Sequence, residues 1–311
     1  MSKIYELSNV LPDLPDERDY IFASAKSATA LPEIIDHRKY AREIENQGIT
    51  GSCVANATVS ALELLHKKSK KDINLSRLFL YYNLREQYAH LKDKDTGSYT
   101  RDGFKSVSQV GICTEETWKF DVGKVNTKPD DKSYLEAKNH KVQRYERIPT
   151  TYDDDMVHHT KVALAKGYPV LIGMTLGKTF YSISGSLENH NYKGVQWDSI
   201  GGHAMNIVGY NNTLNGFIVE NSWGSSWGDS GFCLISYDVF KKDCKDVWVC
   251  TKFKDIEIEE EFIVPPVEPV KPTEPVKPVE PAKPKSKSKK KLIPLIVGGL
   301  ILISGAVYYF L

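Results

Sequence analysis

Between Val264 and Lys285 the chain reads VPPVEPVKPTEPVKPVEPAKPK, with a proline at about every third position. Proline fixes φ and removes a backbone donor, so this stretch can be neither a helix nor an inner strand. Any folded core must therefore come from the residues around it. Polyproline II is the physical expectation, and at roughly 3.1 Å per residue the stretch reaches on the order of 70 Å. A spacer is the favoured reading, and a PxxP ligand for an SH3-type domain is the alternative.

A lysine run, KPKSKSKKK, follows and ends at Lys291. From Leu292 to Leu311 the chain then reads LIPLIVGGLILISGAVYYFL without a charge. Twenty such residues at about 1.5 Å rise span a hydrocarbon core of roughly 30 Å. The expectation is one C-terminal transmembrane helix over 292–311, joined by a disordered Pro/Lys-rich linker over 263–291. Lysines on the near side predict that this side is cytoplasmic, with the topology of a tail-anchored protein. Anionic lipid at the lysine run is a further expected partner.

The globular part is then about residues 1–262. Net charge is +1, so composition does not point to nucleic acid, and none is expected as a partner. The five cysteines, at 53, 113, 233, 244 and 250, are too few and too scattered for a small disulfide scaffold. Met1 to Tyr20 carries acidic residues and prolines and lacks the apolar centre of a secretory signal. A reducing compartment follows as the expectation.

Residues 53–68, CVANATVSALELLHKK, place apolar side chains at 54, 57, 61, 64 and 65, which is helical spacing. Ser52 is the expected N-cap. Further helices are expected over about 75–91 and 101–110. Short apolar runs at 169–173, 204–209 and 216–220, bounded by Gly and Asn, suit strands. A helical first half before a strand-rich second half predicts an α+β fold with two lobes.

Cys53 opens the first predicted helix, where unpaired N–H groups and the helix dipole favour a thiolate. A cysteine on a helix is more often an inert buried residue, so position alone decides little. His203, in IGGHAMNIVGY, precedes an apolar run and has the chemistry to take a thiol proton and return it to a leaving amine. Asn221, in VENSWGSSWGDSGF, offers a carboxamide that can hold an imidazole in one tautomer. That last motif on its own reads equally well as a glycine-punctuated turn packed by tryptophans.

Taken together, three segments resemble the papain/cathepsin family of cysteine proteases. Gln47-Gly-Ile-Thr-Gly-Ser-Cys53 resembles its nucleophile signature. Gly202-His203-Ala204 with Val208-Gly209-Tyr210 is similar to its histidine segment, and Asn221-Ser-Trp-Gly-Ser-Ser-Trp-Gly228 to its asparagine segment. The resemblance spans about 31–255 and the order Cys, His, Asn is the family's. It implies a helical lobe and a β-barrel-like lobe with a cleft between them, with Cys53 on the first and His203 and Asn221 on the second. It implies Cys53 as nucleophile in a thiolate–imidazolium pair with His203, Asn221 orienting His203, and Trp223 covering the pair. Gln47 and the backbone N–H of Cys53 are implied as oxyanion donors. Gly97 and Ser98, in the loop Gly97-Ser-Tyr-Thr-Arg-Asp-Gly103, and Gly202 are implied at the substrate. No cofactor and no metal is expected.

Two residues depart from the family pattern. Thr50 stands where a disulfide cysteine is usual, and Val54 where a tryptophan follows the nucleophile. The second substitution raises the prospect of looser packing at the cleft floor. Residues 1–30 lack the long helical prosegment of typical zymogens. Their stretch Leu11-Pro-Asp-Leu-Pro-Asp-Glu-Arg-Asp-Tyr20 resembles the short N-terminal extension of family members from bacteria and large DNA viruses. A permanent strap is slightly favoured for it, and a gate over the cleft is the alternative. The expected domains are this extension over 1–30 and a peptidase domain over 31–262. The expected function is that of a membrane-anchored thiol-dependent endopeptidase acting on peptide or protein substrates. A papain-fold scaffold with little turnover, or a transamidating ligase, stands as the alternative.

Overall fold

The helix expected over 53–68 forms with those bounds as α1, Cys53–Lys68. Its burial, however, is not a stripe. Thirteen of its sixteen residues are buried, including Asn56, Thr58, Glu63 and His66. The reason is that it packs between helices and sheet, so both faces are covered. Helices α2, Arg77–Glu86, and α3, Thr100–Gln109, lie against it. At Gly103 in α3 an added Cβ would come within 2.2 Å of Thr58 Oγ1, so glycine is what lets α3 approach α1.

Two sequence expectations shift here. Ser52 does not cap α1 with its side chain; its Oγ is engaged instead by Thr50 and Asn56. The second helix is shorter than 75–91. It begins at Ser76, whose Oγ accepts from Phe79 N at 3.1 Å. It stops at Glu86, where buried Arg85 turns its guanidinium to Lys94 O and Asn126 Oδ1 and gathers the following loop around itself. Three further α-helices occur among the described residues: α4, Asp131–Ala137, α5, Asp154–Ala165, and α6, Tyr237–Asp243.

Among the described residues seven strands form one antiparallel sheet: β1, Ile34–Asp36; β2, Val142–Arg147; β3, Val170–Gly177; β4, Ser199–Asn211; β5, Gly216–Glu220; β6, Phe232–Ser236; and β7, Cys244–Phe253. The order is β2-β7-β3-β4-β5-β6, with β1 also on β4. Strand β4 is the hub. Along one edge it pairs first with β3, up to Val170↔Ile207, and then with β1, from Asp36↔Gly209. Along its other edge it pairs with β5. Strands β3, β5 and most of β4 are buried on both faces, which is why they read as continuous apolar runs.

The computed structural model describes residues 10–22, 30–88, 90–189 and 192–257. The proline-rich linker, the lysine run and the apolar stretch over 292–311 lie outside these residues. Among the described residues no helix is long and apolar enough to cross a membrane.

Candidate active site

His203 sits in β4 opposite Met174 of β3 and is fully buried. Asn221 follows β5 directly, so the β4–β5 hairpin brings the two side by side. His203 Nε2 lies 2.8 Å from Asn221 Oδ1. That oxygen also accepts from the Ser222 N–H at 2.8 Å. An amide oxygen only accepts, so Nε2 carries the proton and the lone pair of the neutral ring is on Nδ1. Nδ1 is buried and makes no hydrogen bond among the described residues.

Aromatic rings enclose the imidazole. Trp223 lies 5.0 Å from it and Phe180 6.5 Å, centroid to centroid. Tyr181 stacks on Trp223 at 5.5 Å, and Trp227 packs against both Phe180 and Trp223. Burial pulls the His203 pKa down to about 4, against the bond to Asn221, which raises it. In this closed arrangement the ring is therefore neutral. The imidazolium expected from the family resemblance needs a counter-charge to form.

Gln47, in the loop before α1, joins the same network. Its Oε1 accepts from Ser222 Oγ at 2.7 Å, and its backbone N–H donates to Ser222 O at 2.9 Å. Asn46 and Trp223 form an antiparallel bridge beside it, and Gly224 N donates to Glu45 O at 2.9 Å. Residues 45–47 are thus sewn to 222–224. A hydrogen-bonded path runs from Gln47 through Ser222 and Asn221 to His203. Ser222 is a residue that sequence reasoning missed. It stands inside the asparagine motif, but its partner is far away in the chain, and no local pattern marks that pairing.

Cys53 is the first residue of α1 and is fully buried. The start of α1 faces the β4–β5 side: Asn56 and Ala57 line one cavity together with Ala204, Asn221 and Ser222. The other four cysteines are of a different kind. Burial pushes the Cys113 and Cys250 thiols up to about 12, and it raises those of Cys233 and Cys244 as well. They are protonated core residues. No disulfide joins any of the five. Val54 is fully buried in the main core, so the place beside Cys53 is filled.

Of the three residues assigned to substrate contact, Gly202 is met directly by the N-terminal segment of the chain. Gly202 O accepts from Val10 N at 3.4 Å, and a Cβ on Gly202 would come within 2.2 Å of Val10 O. Leu11 forms a bridge with Tyr99, next to Ser98. Gly97 takes the left-handed conformation at φ 81°, and Ser98 is buried. From there the N-terminal segment runs outward along the domain. Asp13 accepts from the Arg101 N–H at 3.0 Å and from Trp248 Nε1 at 2.8 Å. Asp19 pairs with Arg101 at 2.8 Å, and Phe22 N donates to Arg147 O at 2.8 Å. Residues 10–22 thus run from Gly202 of β4 to the edge strand β2. Two of their acidic residues, Asp13 and Asp19, engage Arg101 of the 97–103 stretch, and Asp16 pairs with Arg18 within the segment.

Comparisons with known proteins agree with one another. The sequence profile of the papain family cysteine proteases matches residues 31–248. An uncharacterized peptidase C1-like protein of Acanthamoeba polyphaga mimivirus is 34% identical over 266 residues, covering 78% of this chain and 85% of its own. Cathepsin K of Mus musculus is 31% identical over 222 residues, and there the match covers 66% of this chain but only 60% of the relative. Among solved structures, xylellain, a cysteine protease from Xylella fastidiosa, superposes with a TM-score of 0.69 at 30% identity, over 79% of this chain and 97% of that one.

Proposed function

The chain belongs to the papain family of cysteine proteases and is a cysteine peptidase, and from that premise we propose that it is an endopeptidase working through an acyl-enzyme on Cys53. The observation that carries this reading is the geometry of His203. Its Nε2–H is committed to Asn221 at 2.8 Å, which leaves Nδ1 as the base. In the reaction Nδ1 takes the Cys53 thiol proton, and the sulfur attacks the scissile carbonyl carbon. The carbonyl oxygen becomes an oxyanion held by the Gln47 carboxamide and the Cys53 N–H. Collapse breaks the C–N bond, and His203 returns its proton to the leaving amine. Water, deprotonated by the same nitrogen, then releases the acyl group as a carboxylic acid and restores the thiol.

A cysteine-directed epoxide tests this. Labelling of Cys53 should vanish in Cys53→Ala and fall sharply in His203→Ala. Absence of both labelling and peptide turnover would favour a scaffold role instead. Product analysis with an added amine separates hydrolysis from transamidation.

Two further parts complete the proposal. The segment around Val10 limits access to the cleft, a reading supported by its contacts with Gly202 and Tyr99. Removing residues 1–30 should then raise peptidase activity while the domain stays folded. The apolar run over 292–311 anchors the protein in a membrane with the catalytic domain on the cytoplasmic side, and the proline-rich linker acts as a stalk. This part rests on sequence: twenty uncharged residues after a lysine run. Tethering restricts substrates to those within the stalk's radius, and the lysine run takes anionic lipid.

A further inference from the structure

The turn from Gln47 to Ser52 folds back on itself around Thr50. Gln47 Nε2 donates to Thr50 O at 2.9 Å. Thr50 answers on the Gln47 carbonyl, with its N–H at 3.3 Å and its hydroxyl at 2.8 Å. Thr50 Oγ1 also lies 2.7 Å from Ser52 Oγ, and Ser52 Oγ accepts from Asn56 Nδ2 at 2.9 Å. Gln47, Thr50 and Ser52 are all fully buried.

The proton directions in this cluster follow from counting donors. A hydroxyl has one hydrogen, and that of Thr50 goes to the Gln47 carbonyl. Towards Ser52, Thr50 must accept, so the Ser52 hydroxyl donates to it. The bonds therefore run one way: Asn56 to Ser52, Ser52 to Thr50, Thr50 to Gln47. Asn56 Oδ1 in turn accepts from Arg77 Nη1 at 3.2 Å, and Arg77 pairs with Glu45 at 3.0 Å. The path closes on Glu45, two residues before Gln47.

We propose that Thr50 is a positioning residue for the oxyanion donor: its hydroxyl shuts the 47–50 turn and so aims the Gln47 carboxamide. Ser222 fixes the oxygen end of that carboxamide, and the Thr50 carbonyl fixes the nitrogen end. One N–H of Nε2 is spent on Thr50, and the other is left for the developing oxyanion. This inference rests on the reading of Gln47 as oxyanion donor given above. It assigns a non-covalent clamp to a position where the family resemblance leads one to expect a disulfide cysteine.

The test compares Thr50→Val, which keeps the shape and loses the hydroxyl, with Thr50→Ser, which keeps the hydroxyl. Ser52→Ala cuts the same path one link earlier and serves if Thr50→Val does not fold. Kinetics on a fluorogenic peptide are read beside the rate of Cys53 alkylation by iodoacetamide, which forms no oxyanion. Thr50→Val should lower kcat roughly 10- to 100-fold with KM nearly unchanged, since a misplaced donor acts only in the transition state. Thr50→Ser should restore most of that loss. Alkylation should keep the parent rate, and adding Thr50→Val to Gln47→Ala should cost nothing more. Normal kcat in Thr50→Val beside a deficient Gln47→Ala would overturn the clamp and leave the oxyanion reading intact. Normal kcat in Gln47→Ala would overturn the oxyanion reading and the clamp with it. Loss of alkylation in folded Thr50→Val or Ser52→Ala would show a general collapse around Cys53 and also overturn the clamp.

Discussion

Asn221 Oδ1 accepts from two donors at once, His203 Nε2 and the Ser222 N–H, both at 2.8 Å. Two donors on one atom settle which end of the carboxamide is oxygen, and hence which imidazole nitrogen is bare. Asn221→Ala should leave a buried N–H without its acceptor, a loss of about 1–3 kcal/mol. We expect kcat to drop roughly 5- to 100-fold with a smaller change in KM. A kcat within twofold of the parent would show that the ring is oriented by its aromatic box alone. Cys53, His203, Asn221 and Gln47 can be put forward as candidates from the sequence because each lies in a short motif and the motifs fall in order. Ser222 and Thr50 were present in the same motifs, but their importance was not. What matters about them is a hydroxyl partner, and hydroxyl partners are chosen by tertiary proximity.

The elements divide in the same way. Helix α1 and strands β3, β4 and β5 carry strong local patterns and appear close to where the sequence puts them. Strand β2 is half exposed and rich in Arg, Glu and Gln, so it has no apolar alternation to detect; it exists because β7 pairs with it. Residues 10–22 form no helix or strand of their own either. Their path is set by side chains, above all Asp13, which meets Asp246 of β7, Arg101 of α3 and Trp248 of β7. Arg147 of β2 acts on Asp246, and Arg101 also engages Asp19. Burial first, and the Asp246 carboxylate second, raise the Asp13 pKa above its ordinary value of 3.8. A raised pKa in the docked state means that docking is strongest while Asp13 is protonated. The added stability is complete below the ordinary value and is lost as pH climbs through the raised one. Hydrogen exchange over residues 10–22, corrected for intrinsic rate, should therefore show protection falling from pH 5 to pH 8. Asp13→Asn should flatten that dependence. Protection that grows with pH would reverse the sign and defeat the argument.

At the scale of the whole molecule, the peptidase and its proposed anchorage are separable claims. A chain ending after residue 257 keeps every described contact of the domain. It should match the full chain in kcat on a soluble peptide and differ in sedimenting with membranes. Equal partition of both forms into the soluble fraction would remove the anchor, and a lost kcat would tie the tail to the fold. The tail was readable only as composition, because proline period and apolar length are physical facts before any folding occurs. The contact between Val10 and Gly202 has one more consequence, which concerns time. A ribosome delivers the N-terminal end first, so Val10 leaves the exit tunnel long before β4 does. Strand β4 brings both His203 and the glycine that receives Val10. The segment is already waiting when Gly202 arrives to receive it, and the newborn chain passes through no stage in which His203 is in place and that segment is still unmade.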